Sequence, residues 1–267
     1  QTKEHQWYVF NHLLDAVGRL DMMLSETEPK DPEDGALWRE LWQQLAWLDL
    51  RPHFQEEVMS ERPRAAILKL TALLHDIAKP QTKTLDENGR IRFLGHDKVG
   101  ADVAADILRR LRFSSRELEM VRVMIVNHLR PVQLGQEGPP SRRALYRYYR
   151  DCGEAAIELL FLSMADHLAT VGSRVKIEHW RGHVSLVNYI LAKRYEEVEI
   201  VAPPKLVSGL DIMTELGLSP GPTIGQLLEA IREAQAAGVV YDRDGAIALA
   251  RRELMHLGLA ASTEEET

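Results

Sequence analysis

Apolar residues recur at helical spacing along almost the whole chain. Phe10, Leu13, Leu14, Val17 and Leu20 fall three and four apart, one stripe of a helix near the N-terminus. The stretch SETEPKDPEDG at 25–35 is polar and rich in breakers, which predicts a loop. A helical pattern resumes over 36–50, with Trp38, Trp42 and Trp47, and again over 64–78, where Pro80 stops it. The segment TKTLDENGRIRFLG at 82–95 alternates around Asn88-Gly89 and predicts a small β-hairpin, the one convincing strand signal. Helices return over 96–111 and 115–129, the second with Ser114 or Ser115 as N-cap before Glu117 and Pro131 as terminator. A loop at 133–141 leads to a helix over 142–150, and a long apolar helix holds FLSMADHLATV at 161–171. Beyond Ala202-Pro203-Pro204, residues 205–231 predict a small helical subdomain. The pattern is that of an all-α protein with one hairpin. It divides into a main domain over 1–200, a C-terminal helical subdomain over 205–260 and a polar tail over 261–267 expected to be disordered.

Composition changes this picture little. With 267 residues, 45% apolar and 27% charged, the chain is an ordinary globular sequence, long enough for one large domain or two small ones. The formal charge of −7 excludes a protein that coats nucleic acid by bulk charge, and leaves room for a local basic groove. Cys152 is the only cysteine, so no disulfide framework exists and a reducing cytoplasm is the expected location. No run approaches the roughly 18 apolar residues of a membrane span, so no membrane partner is expected. The chain opens on Gln1 rather than Met, which admits a piece of something longer.

The histidines and aspartates do change it. In LLHDIAKP (73–80) an imidazole and a carboxylate stand side by side in a helix built for burial. Buried ionisable groups are costly unless paired or bound to a metal. His12 and His128 also lie in apolar helical stretches, His96 opens a helix just after the hairpin, and Asp166 interrupts the apolar run 161–168. Imidazole nitrogens and carboxylate oxygens without thiolate form a borderline-hard donor set. That suits Mn, Fe, Co, Ni, Zn or Mg rather than a Cys-type structural zinc site.

The order His12, His75-Asp76, Asp166 resembles the H…HD…D signature of the HD superfamily of metal-dependent phosphohydrolases. The resemblance implies one divalent ion held by those four side chains inside a helical bundle. His96 and His128 match the extra histidines of two-metal members, in which the aspartate of the HD pair bridges the ions. The likeness is closer still to the HD and C-terminal region of the bacterial tRNA nucleotidyltransferase and poly(A) polymerase family. HDIAKP (75–80), FLGHDKVGA (93–101) and NHLRP (127–131) carry it, with softer support from SRRALYRYYRDCGE, SMAD and the segment 209–235. It covers most of the chain apart from 26–63, which reads as an insertion.

Two departures stand out. In HQWYVFNHL (5–13) His5 keeps its place, but Tyr8 replaces the family's aspartate and Leu13 its threonine. The family's nucleotidyltransferase head, with its Asp-x-Asp pair on a β-sheet, is missing. Asp242-Arg243-Asp244 spells the pair but precedes a helix at 245–257, where Asp242 reads as an N-cap.

The implied chemistry is phosphoryl transfer to water. Two divalent ions sharing Asp76 would acidify a common water and neutralise phosphoryl oxygens, giving Asp76 a catalytic as well as a ligating role. Lys79 is a candidate catalytic and substrate-binding cation; Arg130, and Arg147 in the basic-aromatic run RRALYRYYR (142–150), are further phosphate or ribose contacts. The bland alternatives are a helix-end cation for Lys79, a solvated face for the arginines, and core packing for Tyr146, Tyr148 and Tyr149. His179 and His183 stand four apart, but the Glu precedes the first histidine, so the metalloprotease motif is not met and a structural role is expected. Asp86, Asn88 and Gly89 belong to a hairpin turn and not a calcium loop.

The expected function is hydrolysis of a nucleotide, cyclic nucleotide or RNA 3′ end through one or two divalent ions. The alternative is a non-catalytic, metal- and tRNA-binding tail portion of a nucleotidyltransferase.

Overall fold

A computed structural model describes residues 2–59 and 61–264, without the side chains of 2–8, 173 and 259–264. The Cα positions group into two compact units, Gln1–Pro139 with Asp151–Leu191, and Pro140–Arg150 with Ala192–Thr267.

The first unit begins with α1 (Thr2–Met23), which buries Leu13, Ala16, Leu20 and Met23 along one stripe. The segment 26–63 supplies α2 (Pro32–Gln44), α3 (Arg51–Gln55), β1 (Glu57–Met59) and β2 (Arg62–Pro63). Asp31 caps α2, accepting from the amides of Glu33 and Asp34, both at 3.0 Å. The antiparallel β1–β2 pair is a correction to the sequence reading, which found one hairpin. At three and two residues the strands are too short to show alternation.

Next comes α4 (Arg64–Leu74), whose regular bonding ends earlier than the pattern predicts. From Leu74 on, Ile77, Lys79 and Gln81 donate to residues three back, so the chain tightens into turns over 75–82. Pro80 explains this: it has no N–H for the Asp76 carbonyl and its ring crowds that turn. The expected hairpin follows as β3 (Thr84–Leu85) and β4 (Ile91–Arg92), paired antiparallel. Asp86 Oδ1 accepts from the amides of Asn88 and Arg90, which makes it a turn residue. Gly95, at φ +76°, turns the chain left-handed out of β4 and starts α5 (His96–Arg110) with His96 at its first position. In α5 the small residues Gly100, Ala101, Ala104 and Ala105 allow close packing on α6 (Ser115–Asn127) and on the end of α4. After α6, Leu129 and the short α7 (Arg130–Leu134) repeat the scheme seen after α4, a histidine followed closely by a proline.

Past 151 lies α9 (Ala156–Val171), buried on nearly every side and packed against α1, α4 and α6. The first part of α10 (Ile177–Glu196) buries Trp180, Val184, Val187, Ile190 and Leu191, and Trp180 Nε1 donates to Leu37 O at 2.9 Å.

The second unit contains most of α8 (Arg142–Cys152), the end of α10, α11 (Val198–Val201), α12 (Gly209–Leu216), α13 (Pro222–Ala236) and α14 (Arg243–Glu264). Its core is Val207, Ile212, Ile224, Leu227, Ile231, Ile247 and small neighbours. Segment 140–150 groups here and not with the main domain in which the pattern placed it. Asp242 Oδ1 accepts from the Gly245 amide at 2.8 Å, the N-cap role read from sequence. Helix α14 runs to Glu264, into the stretch expected to be disordered; 265–267 lie outside the described residues.

At the start of α6, fully buried Glu117 closes a capping box with Ser114 and takes Arg62 on both oxygens, at 2.5 and 2.9 Å. The Arg62 hydrogen bonds and those from Ser114 bring its carboxyl down to about 2 against the effect of burial. A carboxyl depressed in the folded state stabilises above its unfolded pKa and loses that contribution as pH falls through the folded one. Stability is therefore expected to drop by about 2–3 kcal/mol between pH 5 and pH 2 on this account. Glu117→Gln should lose a similar amount at pH 7 and flatten the acid limb in urea titrations; an unchanged limb would contradict the assignment.

Candidate metal centre

Six side chains from five places in the first unit converge. His12 comes from α1, His75 and Asp76 from the turns ending α4, His96 from the start of α5, His128 from just after α6, and Asp166 from α9. They fall into two groups, His12–His75–Asp76–Asp166 and Asp76–His96–His128, with donor atoms in each within 4.8 Å of one another. Asp76 belongs to both through different oxygens. Its Oδ2 lies 3.5 Å from His12 Nε2 and 3.4 Å from His75 Nε2. Its Oδ1 lies 3.3 Å from His96 Nε2 and 3.8 Å from His128 Nε2. Asp166 Oδ1 closes the first group at 3.1 Å from His12 and 3.6 Å from His75.

Local backbone fixes the rings. His75 Nδ1 donates to Ala72 O at 2.8 Å, His96 Nδ1 to Phe93 O at 2.6 Å and His128 Nδ1 to Ile125 O at 2.7 Å. A carbonyl only accepts, so each Nδ1 carries the proton and each Nε2 faces the cluster. His75, Asp76, His96 and His128 are buried, while His12 and Asp166 are partly exposed and form the open side.

Charge and burial compete here. Burial opposes ionisation of Asp76, but His96, His75 and Lys79 hold its carboxyl well below the usual range. Asp166 is likewise held down, by His12 and His75, against strong desolvation. Desolvation lowers His75, yet the nearby carboxylates of Asp166 and Asp76 raise it overall. His96 is raised chiefly by its bond to Asp76, and His128 is pushed down to about 4 by burial and the charge of His75. Both carboxylates are anionic at neutral pH and His128 is neutral.

The residues fit a divalent cation. The Nε2 atoms of His12 and His75 are buried without a hydrogen-bond partner, and both Asp76 oxygens are buried, Oδ2 against the Lys79 amine. His96 Nε2 and His128 Nε2 stand 3.4 Å apart. Acceptors brought this close repel unless a cation lies among them. Two carboxylates and four imidazoles, without sulfur, suit a borderline first-row ion or magnesium.

The other sequence candidates divide. Lys79 Nζ meets Asp76 Oδ2 and lies 5.8 Å from the Phe93 ring centroid, so it belongs to the centre. Arg130 is tied to Asp151 at 2.7 Å and touches none of the six. Arg147 belongs to the second unit and bonds Glu233 through Nε at 2.8 Å and Nη2 at 2.6 Å. Arg143 and Arg150 meet Glu233 and Glu229, and Tyr146, Tyr148 and Tyr149 are buried, so helix 142–150 packs as the bland reading expects. His5 and Tyr8 lie outside the described side chains; Leu13 is in the core.

Sequence reasoning missed the buried pair of Arg64 and Glu158. Glu158, in the same apolar helix as Asp166, is fully buried and meets Arg64 at 3.0 Å and His53 at 2.8 Å. Its signal was the same as that of Asp166, a carboxylate interrupting an apolar run.

The HD domain family matches this chain over residues 39–171, a span that holds five of the six converging residues and begins downstream of His12. The A-adding tRNA nucleotidyltransferase of Deinococcus radiodurans is 33% identical over 245 residues, 90% of this chain and 53% of its own length. The CC-adding tRNA nucleotidyltransferase of Thermus thermophilus is 38% identical over 181 residues, 67% of this chain and 38% of its own. A CC-adding tRNA nucleotidyltransferase of Synechocystis is 26% identical over 161 residues, 58% of this chain and 35% of its own. The chain spans about half the length, or less, of these relatives. No helix among the described residues is long and apolar enough to cross a membrane.

Proposed function

Because this chain carries an HD domain, we propose that the cluster around Asp76 is a metal-dependent phosphohydrolase centre. Its substrate would be a nucleotide, a cyclic nucleotide or an RNA 3′ end. The observation that supports this best is the sharing of Asp76: one buried carboxylate turns each oxygen toward a different histidine group. His12, His75, Asp76 and Asp166 would hold one divalent ion, and Asp76, His96 and His128 a second. Bound there, such ions supply Lewis acidity toward a phosphoryl group and lower the pKa of water.

The remaining work falls to the chain's own groups. The carbonyls of Ala72, Phe93 and Ile125 hold three imidazoles in the tautomer that aims Nε2 inward. The apolar walls of α4, α6 and α9 exclude water from the inner side. Lys79, partly exposed at the rim, is placed to neutralise a non-bridging phosphoryl oxygen as a point charge. Arg130 and Arg147 would take part only after leaving their carboxylate partners. The single bound ion of a closed structural site would need four ligands; six candidates, with one side open, favour a site that admits substrate.

A second reading is supported by the relatives, all of them tRNA nucleotidyltransferases by name. In it this chain is a metal- and tRNA-binding portion without turnover. Assaying the metal-loaded protein on 2′,3′-cyclic nucleotides and a generic phosphodiester separates the two. Metal-dependent hydrolysis is expected; bound metal without hydrolysis would leave the binding reading.

A further inference from the structure

A cavity that shares no residue with the metal centre opens where the loop after α1 meets α2 and α3. Its volume is about 320 Å³, at the small end of the range for ligand pockets, which suits a compact molecule and not a peptide. Leu24, Trp38, Trp42, Leu45 and Phe54 supply its apolar walls. Both tryptophans are only half-buried, and their N–H groups are already used. Trp38 Nε1 donates to Ser25 O at 3.2 Å and Trp42 Nε1 to Met23 O at 3.0 Å. What the two rings offer a ligand is therefore π surface and not a donor. The walls are also held from behind. Trp42 and Phe54 each stand against Phe161 of α9, with ring centroids 6.4 and 4.7 Å apart. A pocket fixed in this way needs little ordering to accept a ligand.

The charged groups of the lining narrow the class of ligand. Asp49 and Arg51 neutralise each other through a two-pronged contact, Nε to Oδ1 at 2.9 Å and Nη2 to Oδ2 at 3.2 Å. Glu26 is left over. It is exposed, and its carboxylate makes no hydrogen bond or ion pair among the described residues. Arg51 feels its charge, but the guanidinium fork is occupied by Asp49. The lining thus carries one uncompensated negative charge beside two indole rings. That combination attracts a cation and repels phosphate or carboxylate. A neutral ring compound would fill the walls and leave Glu26 unused.

We propose that this cavity binds a small organic cation, an ammonium or guanidinium group carried on an apolar or aromatic body. The cationic head lies against the Trp38 and Trp42 rings with Glu26 beside it, and the body rests on Leu24, Leu45 and Phe54. The site does not depend on the metal centre or on its hydrolytic reading.

Calorimetric titration of the full chain with benzyltrimethylammonium, in amine-free phosphate buffer, tests this. Neutral benzyl alcohol and anionic benzoate keep the ring and serve as controls. One equivalent of the cation is expected to bind, about tenfold or more tighter than either control, and more weakly as salt rises. Glu26→Gln should weaken binding by about 3–10-fold, and Trp38→Leu by about tenfold or more. Trp38 is half-buried and its variant is the one at risk of misfolding; Glu26 is exposed, so its variant decides in that event. Asp76→Ala should titrate as the unchanged chain does, which separates this cavity from the acidic metal centre. Absence of saturable binding, an affinity unmoved by Glu26→Gln, loss of binding in Asp76→Ala, or benzyl alcohol bound as tightly as the cation would each overturn the proposal.

Discussion

Replacing Asp76 by alanine is expected to remove both proposed ions and to lower phosphodiester turnover by roughly 10³-fold or more, beyond the 10–100-fold typical of outer partners. The reason is geometric. Asp76 is the one residue whose oxygens reach both histidine groups, at 3.3–3.8 Å, and it is fully buried. His96→Ala should remove one equivalent and leave the His12–His75–Asp166 position filled. Lys79→Met should keep both ions and lose about 10–100-fold in rate, because its amine meets a carboxylate and, on the proposed reading, would meet the phosphoryl group while holding no ion. Elemental analysis beside a 2′,3′-cyclic nucleotide assay reads all three. Full metal content in Asp76→Ala would sink the shared-carboxylate reading, and an unchanged rate with metal lost would sink the hydrolytic one.

Arg64→Leu is expected to destabilise the fold by about 3–5 kcal/mol, the scale for removing one partner from a buried ion pair. Arg64 Nη1 bonds Glu158 Oε1 at 3.0 Å and the Glu154 carbonyl at 3.2 Å, while Nε bonds Glu56 at 3.1 Å. Without it, Glu158 would remain in the α9 core with only His53. Arg64→Leu combined with Glu158→Leu should recover most of the loss, since two apolar groups leave no charge stranded. Urea unfolding of the single and double variants measures this. A double variant no more stable than the single would show that the arginine acts through packing and not through charge.

These sites were legible in the sequence to different degrees. The helical period located α1, α4, α5, α6 and α9, whereas the grouping of His12, His75, Asp76, His96, His128 and Asp166 came from the resemblance to the HD signature. A carboxylate inside an apolar run marks a cost, and Asp166 and Glu158 both carried that mark. Which partner meets the carboxylate is not periodic information: Arg64 lies 94 residues from Glu158. The end of α4 illustrates the limit of pattern reading. Apolar spacing continues to residue 78, but the proline at 80 cannot bond the Asp76 carbonyl and the turn tightens. Helix 142–150 showed its stripe of arginines plainly, whereas the glutamates that neutralise Arg143, Arg147 and Arg150 stand some 80 residues later, on α13. The β1–β2 pair was too short to have a period at all.

Each of three imidazoles is tied to a carbonyl three residues earlier, within its own turn of chain. The orientation of these rings is thus a local property of backbone, independent of side chains elsewhere. A socket set in this way exists before any ion arrives, so little reorganisation accompanies loading. Chelated protein should accordingly recover its ions at the speed of diffusion and desolvation, without a refolding step. Substitutions around the rim can reshape what the site admits while leaving the aim of His75, His96 and His128 untouched.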